Sequence, residues 1–405
     1  MSKTAASTSF PASTCNAFRP LTRPGQGLFS CHNPLCPGFT MTYRTLLILG
    51  ALALFIGACG DDEPGDEYDC DDTLLLEEGD PPPEYLSDYC FFEGAPNLQQ
   101  PQEGVIPYDL TSPLYSDKSL KQRFIVLPEG ETIDFDVDER WGWPDPSIII
   151  KTFYYPTDAT DPDAPDQLLE TRLLIKRGGE WETQSYIWED DQGDAVLNNL
   201  GASRQVEYID EDGDTVSIDY RIPNRNQCVS CHGHEGDLKP IGPRTNQMTH
   251  PYGGHDDDTP QLEALADMGL FDQEPPPVDE IDAMVDPRDE SASLDDRARS
   301  YLDANCAHCH APGSRASSSN LHLDYDEPFG SKIGICKTPV AAGSAAGGRP
   351  YDIVPGEPDE SIMVFRMETT DSDKMMPELP NTTIDAFGVQ LVRDWISAME
   401  PVGCN

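Results

Sequence analysis

Between residues 85 and 222, short runs rich in β-branched and aromatic side chains recur between turn signals, and several alternate apolar with polar positions. They are Arg123-Phe124-Ile125-Val126, Ile148 to Tyr155, Thr171-Arg172-Leu173-Leu174-Ile175, Ser185-Tyr186-Ile187-Trp188, Val206-Glu207-Tyr208-Ile209 and Val216-Ser217-Ile218-Asp219-Tyr220. A two-residue period with one apolar side predicts strands that keep one face in water, and the pattern reads as an antiparallel β-sandwich of about seven or eight strands. Asp210-Glu211-Asp212-Gly213-Asp214 joins the last two runs. Its carboxylates have the density of a Ca²⁺ loop, but no later Glu closes it, so it reads as a hairpin turn.

Beyond residue 222 the period changes. Gln261 to Met268 places Leu262, Leu265 and Met268 on one side of a short helix, which Gln273-Glu274-Pro275-Pro276-Pro277 breaks before an acidic linker to about residue 290. Ser293 is a candidate cap for a helix burying Leu294, Ala298, Tyr301 and Leu302. Thr382 with Asp385 resembles a capping box for a final helix carrying Ile384, Phe387, Leu391, Trp395 and Met399 at helical spacing. The fold class expected is α+β and multidomain: a β-sandwich over 85–222, a connecting segment over 223–290, and an α-helical domain over 291–405.

The N-terminal region reads differently. Met41 opens a second beginning, with Arg44 in a short positive region, an apolar stretch from Leu46 to Ile56 too short to span a bilayer, and then Gly57-Ala58-Cys59. An apolar residue, two small ones and a Cys resemble a bacterial lipobox. That implies a signal peptide over 41–58, a lipid on Cys59, and membrane attachment through that lipid alone. Residues 1–40 then read as upstream sequence from a misplaced start, and 59–84, acidic and Pro-rich, as a tether. Charge sharpens the contrast. The first 58 residues hold four basic residues and no acidic one, leaving 23 basic against 73 acidic residues in the remainder. Nucleic acid and anionic membrane surfaces would be repelled, whereas a basic protein partner would be attracted.

The candidate chemistry lies in two short segments, Cys228-Val229-Ser230-Cys231-His232 and Cys306-Ala307-His308-Cys309-His310. Each is C-x-x-C-H, the attachment signature of a c-type haem. Thiols at i and i+3 share one side of a helical turn, where they can add to two vinyl groups, and the following His is the proximal ligand. Two motifs in an exported chain predict two covalent haems, with Cys228, Cys231, Cys306 and Cys309 as attachment points and His232 and His310 on the irons. First and last helices packed around the second haem would make a cytochrome c domain of residues 291–405. For its sixth ligand, Met376 before Pro377 is the choice, with Met375 its rival. For the first haem, Met248 follows a Gly-Pro loop 16 residues after His232. His250, His255, Met268 and Met284 compete with it, and an open position is the remaining alternative. Of twelve cysteines, setting aside Cys15, Cys31 and Cys36 upstream, Cys59 and the four haem thiols leaves Cys70, Cys90, Cys336 and Cys404. Four cysteines allow three pairings, of which proximity in sequence favours Cys70 with Cys90 and Cys336 with Cys404.

From about residue 85 the chain resembles a family of bacterial dihaem c-type cytochrome lipoproteins. The resemblance is carried by Tyr108-Asp109-Leu110, Ser112 to Asp117, Lys151-Thr152-Phe153, Glu170 to Leu174, Ile222-Pro223-Asn224 before the first motif and Ile241-Gly242-Pro243-Arg244 after it. It continues in Gly334-Ile335-Cys336-Lys337, Val354 to Pro358, Met376-Pro377 and Trp395. It implies the haem ligation above, a β-rich N-terminal domain and no defined substrate. The function expected is periplasmic or cell-surface electron transfer by a membrane-tethered carrier with a protein redox partner. The alternatives are a dihaem peroxidase or oxidase with one open iron, and the haem subunit of a dehydrogenase complex.

Overall fold

The computed structural model describes residues 73–404 apart from 139, 252–258, 341 and 379–380. The signal region, Cys59, Cys70 and His255 lie outside the described residues. Among those described, no helix is long and apolar enough to cross a membrane.

The runs of β-branched and aromatic residues form strands, with two short ones added at the edges. β1 (Val105–Pro107), β2 (Leu120–Val126), β3 (Ser147–Pro156), β4 (Asp166–Arg177), β5 (Glu180–Trp188) and β6 (Ala195–Leu197) make one six-stranded antiparallel sheet in strict sequence order. β7 (Ala202–Ile209) and β8 (Thr215–Ile222) form a separate two-stranded ribbon. Asp210 makes its turn, its carboxylate accepting from the backbone N–H groups of Asp212 and Asp214. The arrangement therefore differs from two sheets of similar size. The reason lies in β3, whose Ile148, Ile149 and Ile150 are all buried: a run apolar on both sides is a strand covered on both faces.

One face of the sheet carries Phe124, Val126, Ile148, Ile150, Leu173, Ile175, Tyr186 and Trp188, packed against the segment around Tyr89, Phe91 and Phe92. On the other face, Ile125 and Ile149 meet Trp141, Trp143, Met248, Leu262 and Phe271 at one end. At the opposite end Phe153, Tyr155 and Leu169 pack on Val206, Tyr208, Ile218 and Tyr220 of the ribbon. Burying such side chains contributes about 1.5–3 kcal/mol each, which is why these clusters fix the sheet between two layers.

Among the described residues, five α-helices lie after the ribbon: α1 (Arg225–His232), α2 (Gln261–Asp267), α3 (Leu294–Leu302), α4 (Ile362–Met367) and α5 (Ala386–Ala398). Ser293 caps α3, its hydroxyl accepting from Asp296 N–H. α5 is capped by Asp385, whose carboxylate accepts from Gly388 N–H, and not by Thr382, whose groups are used elsewhere. α3 and α5 cross in close contact, since a Cβ at Gly388 would overlap the Tyr301 ring. Tyr301 Oη donates to Asp385 at 3.0 Å and Trp395 Nε1 donates to Asp295 at 2.7 Å. With Leu302, Val392 and Ile396 these residues make the core of the C-terminal part. Cys336 and Cys404 are disulfide-bonded and tie the chain end to that core. Cys90 is also disulfide-bonded, to a partner outside the described residues.

A coil before β2 joins the sheet to the C-terminal helices. Ser112 Oγ donates to Ser300 O at 3.0 Å, and Tyr115 N–H donates to Asn305 Oδ1 at 2.7 Å. Asp117, 2% exposed, accepts from the backbone N–H groups and the hydroxyls of both Thr382 and Thr383, at 2.7–3.1 Å. The described residues all fall in one compact unit.

Candidate functional site

Each C-x-x-C-H segment is set by a local device. Asn224 caps α1 with its side chain accepting from Gln227 N–H, while Gln227 accepts in return from Asn224 N–H. This reciprocal box starts the one and a half turns that hold Cys228, Cys231 and His232. In the second segment α3 widens into a π-helical turn over Asp303–Ala307, and the N–H groups of Cys309 and His310 both reach Cys306 O. Such widened turns displace side chains from the regular helical track and recur at functional sites.

The fold brings the two segments together. Cys231 Sγ, Cys309 Sγ and a ring nitrogen of His308 lie within 4.8 Å of one another, and Cys309 Sγ donates to Ser230 O at 3.5 Å. A cavity of about 370 Å³ opens beside Cys306, Cys309 and His310, with Met375, Met376 and Arg366 on its wall. A second of about 150 Å³ opens beside Cys228, Cys231 and His232, against β2, β3 and β4 of the sheet. Tyr115, Cys231, His308, Pro377 and Asn381 line both.

The two terminal histidines are neutral and oriented. Burial pushes each imidazole down to about 4, with Arg366 adding to the effect at His310. His232 Nδ1 is 3.0 Å from Lys239 O. A carbonyl only accepts, so Nδ1 carries the proton and Nε2 keeps a free lone pair. His310 Nδ1 is 3.3 Å from Ser319 Oγ. A second partner on the far ring nitrogen is how ligating histidines are held. Among the thiols, burial pushes Cys306 up to about 12 and raises Cys228. Cys231 is lowered by the Cys309 thiol beside it, with His308 assisting, and Cys309 is raised in turn.

The candidates for a sixth ligand are divided by their placement. Met375 and Met376 both reach the larger cavity. Met248 is not among the residues that line the smaller one. It is fully buried in the apolar cluster around Ile149 and Leu262, where its sulfur accepts from Gln261 Nε2 at 3.3 Å. That cluster, and not proximity in sequence to His232, places the side chain in this structure. The alternatives fare no better. His250 is bonded to Thr111 Oγ1, Met268 is 42% exposed, and Met284 packs on Ala304 and Tyr325.

What motif reading missed is the sheet wall of the smaller cavity, where Arg123, Lys151 and Arg172 stand together. They come from three strands 20 to 30 residues apart, so only the register of the sheet reveals the group. Comparison with protein families, with curated proteins and with solved structures finds no match to this chain.

Proposed function

We propose that the chain is a dihaem c-type cytochrome that carries electrons in the bacterial cell envelope. The observation that carries this reading is the meeting of its two C-x-x-C-H segments, with a sulfur of each inside the same 4.8 Å cluster. The donor set fits the group: paired thiols on turns of chain, and half-buried histidines lowered towards neutrality, one with its Nδ1 proton already given to a carbonyl. Cys228 and Cys231 would hold the first haem with His232 on its iron, and Cys306 and Cys309 the second with His310. Haem iron supplies one-electron chemistry, and Met376 sulfur as sixth ligand would favour the reduced state of the second. The larger cavity lies within the roughly 300–1,000 Å³ range of cofactor sites. The helices α3 and α5 and the loop bearing Met376 would then serve as a cytochrome c domain. The C-terminal core packs behind that site, and Cys336–Cys404 keeps the chain end against the core. A lipid on Cys59 would hold the protein at the membrane, and its acidic surface suits a basic redox partner.

A second reading, a dihaem peroxidase or oxidase, is favoured by one observation. None of the described candidates for the sixth ligand of the first haem reaches the cavity beside His232. Intact mass of protein made with a haem maturation system is expected to show two haems, and one or none would overturn the proposal. Spectra of that protein separate the two readings. Two low-spin irons with no peroxide turnover favour the carrier, and one high-spin iron that binds cyanide favours the enzyme.

A further inference from the structure

Arg123 on β2 is directly opposite Lys151 on β3, and Lys151 is directly opposite Arg172 on β4. Cross-strand neighbours on one face sit roughly 5 Å apart at Cβ, and like charges so placed repel. All three side chains line the smaller cavity. A row of three basic side chains at the inner wall of a cavity is costly to keep charged unless something anionic is bound there.

The details show how much of this charge is already matched. Arg172 gives its side-on edge to Glu170, Nε at 2.7 Å and Nη2 at 2.5 Å, and Glu170 also accepts from Tyr220 Oη. Arg123, 4% exposed, gives only Nη1 to Asp109, at 2.7 Å. Its Nε and Nη2, the same side-on edge that Arg172 has filled, are sealed from solvent and have no partner. Lys151 has no hydrogen-bond partner among the described residues and rests over the Phe153 ring at 4.9 Å. Burial, with Arg123, Lys121 and Arg172 nearby, holds its amine well below the usual range. Lys121 belongs to the same patch but donates to Leu114 O and Ser119 O. Four basic groups thus face Glu170, Asp109 and Asp117, and Asp303 on the cavity wall is matched by Arg244. One amine, which an anion beside it would hold in its charged form, and one two-pronged donor edge are left over.

We propose that the Arg123–Lys151–Arg172 row is a built binding site for a carboxylate or a similarly planar oxyanion, in the wall of the cavity beside His232. A guanidinium side-on edge is matched by two oxygens of one planar group, which a lone halide does not offer. Two sources carry that chemistry: a propionate of the haem proposed at His232, or a free small anion such as acetate or nitrite. Only the first source rests on the haem reading, because the row itself belongs to the chain.

The test uses the full chain after its haem content has been measured by mass, with Arg123→Lys, which keeps the charge and loses the edge, and Lys151→Met, which removes a buried cation. Far-ultraviolet circular dichroism checks that both variants fold. Acetate and nitrite are titrated calorimetrically into each form, and the potential of each haem is read in a redox titration. If the anion is free, wild type binds acetate or nitrite and each variant binds at least about tenfold more weakly. If the anion is a propionate, loaded wild type binds neither added anion. Lys151→Met then lowers the potential of the first haem alone, because the propionate keeps the amine charged and the loss of that charge disfavours the reduced iron. A chain that carries no haem fails the haem reading but still tests the site, through its binding of acetate and nitrite. No anion binding by any form, together with first-haem potentials unmoved in both variants, or no anion binding by a haem-free chain, would overturn the proposal.

Discussion

In the dihaem protein proposed above, Met376→Ala is expected to lower the reduction potential of the second haem and to remove its share of the far-red sulfur-to-iron band. Met376 lines the larger cavity together with His310, while its own N–H is fixed to Arg366 O at 3.0 Å. A thioether is a neutral, soft donor that favours Fe(II), and water or a nitrogen base in its place favours Fe(III). Axial ligands command roughly 0.8 V of potential, and the loss expected is on the order of 0.1–0.3 V of that span. Met375 lines the same cavity and is 9% exposed, so it is the internal control. Met375→Ala should leave band and potential close to wild type. A redox titration with optical detection reads both. If Met375→Ala produced the loss and Met376→Ala did not, the ligand would be one residue earlier. If neither did, the second iron would be open and the catalytic reading would lead.

Asp117→Ala is expected to destabilise the protein by about 3–5 kcal/mol, since a buried carboxylate that accepts several hydrogen bonds leaves each donor unsatisfied when removed. Four donors are at stake, the N–H and hydroxyl of Thr382 and of Thr383. The same residue positions Tyr155, whose hydroxyl donates to Asp117 O. Because Thr382 follows the Met376 loop and precedes α5, the loss should also loosen the wall of the larger cavity. Urea unfolding measures the stability, and the far-red band at low denaturant reports the loop. Thr383→Val, which removes one hydroxyl, should cost only about 1 kcal/mol. An Asp117→Ala midpoint within error of wild type would show that this junction holds little together.

The strands were legible because β-branched and aromatic residues cluster between turn signals, and the ranges in the structure extend those runs by a few residues at most ends. Their assembly was less so. Alternation in Val216-Ser217-Ile218-Asp219-Tyr220 correctly marks an exposed outer face, with Val216, Ile218 and Tyr220 turned inward. In β3 the consecutive isoleucines signal burial on both sides, and the covering layers come from coil with no period of its own. The cysteines and histidines of the two motifs were visible at once, but their meeting was not, because it depends on how α1 docks on β5 and beside His308. Thr382 looked like a helix cap by spacing. Its hydroxyl and N–H are taken by Asp117, 265 positions away, a partner that no local pattern can disclose.

The closeness of Cys231 to Cys309 also constrains the order of assembly. In an oxidising compartment, two thiols this close together, one of them lowered towards the thiolate, are ready to be joined by any passing disulfide. Were the polypeptide to fold before its cofactors arrived, that cross-link would consume one attachment sulfur from each motif and close both at once. If the chain carries the two haems proposed for it, their addition must therefore precede the docking of the two motifs, while these are still far apart on an open chain. Folding would then act as the final seal, bringing sulfurs together only after each had been made unreactive as a thioether.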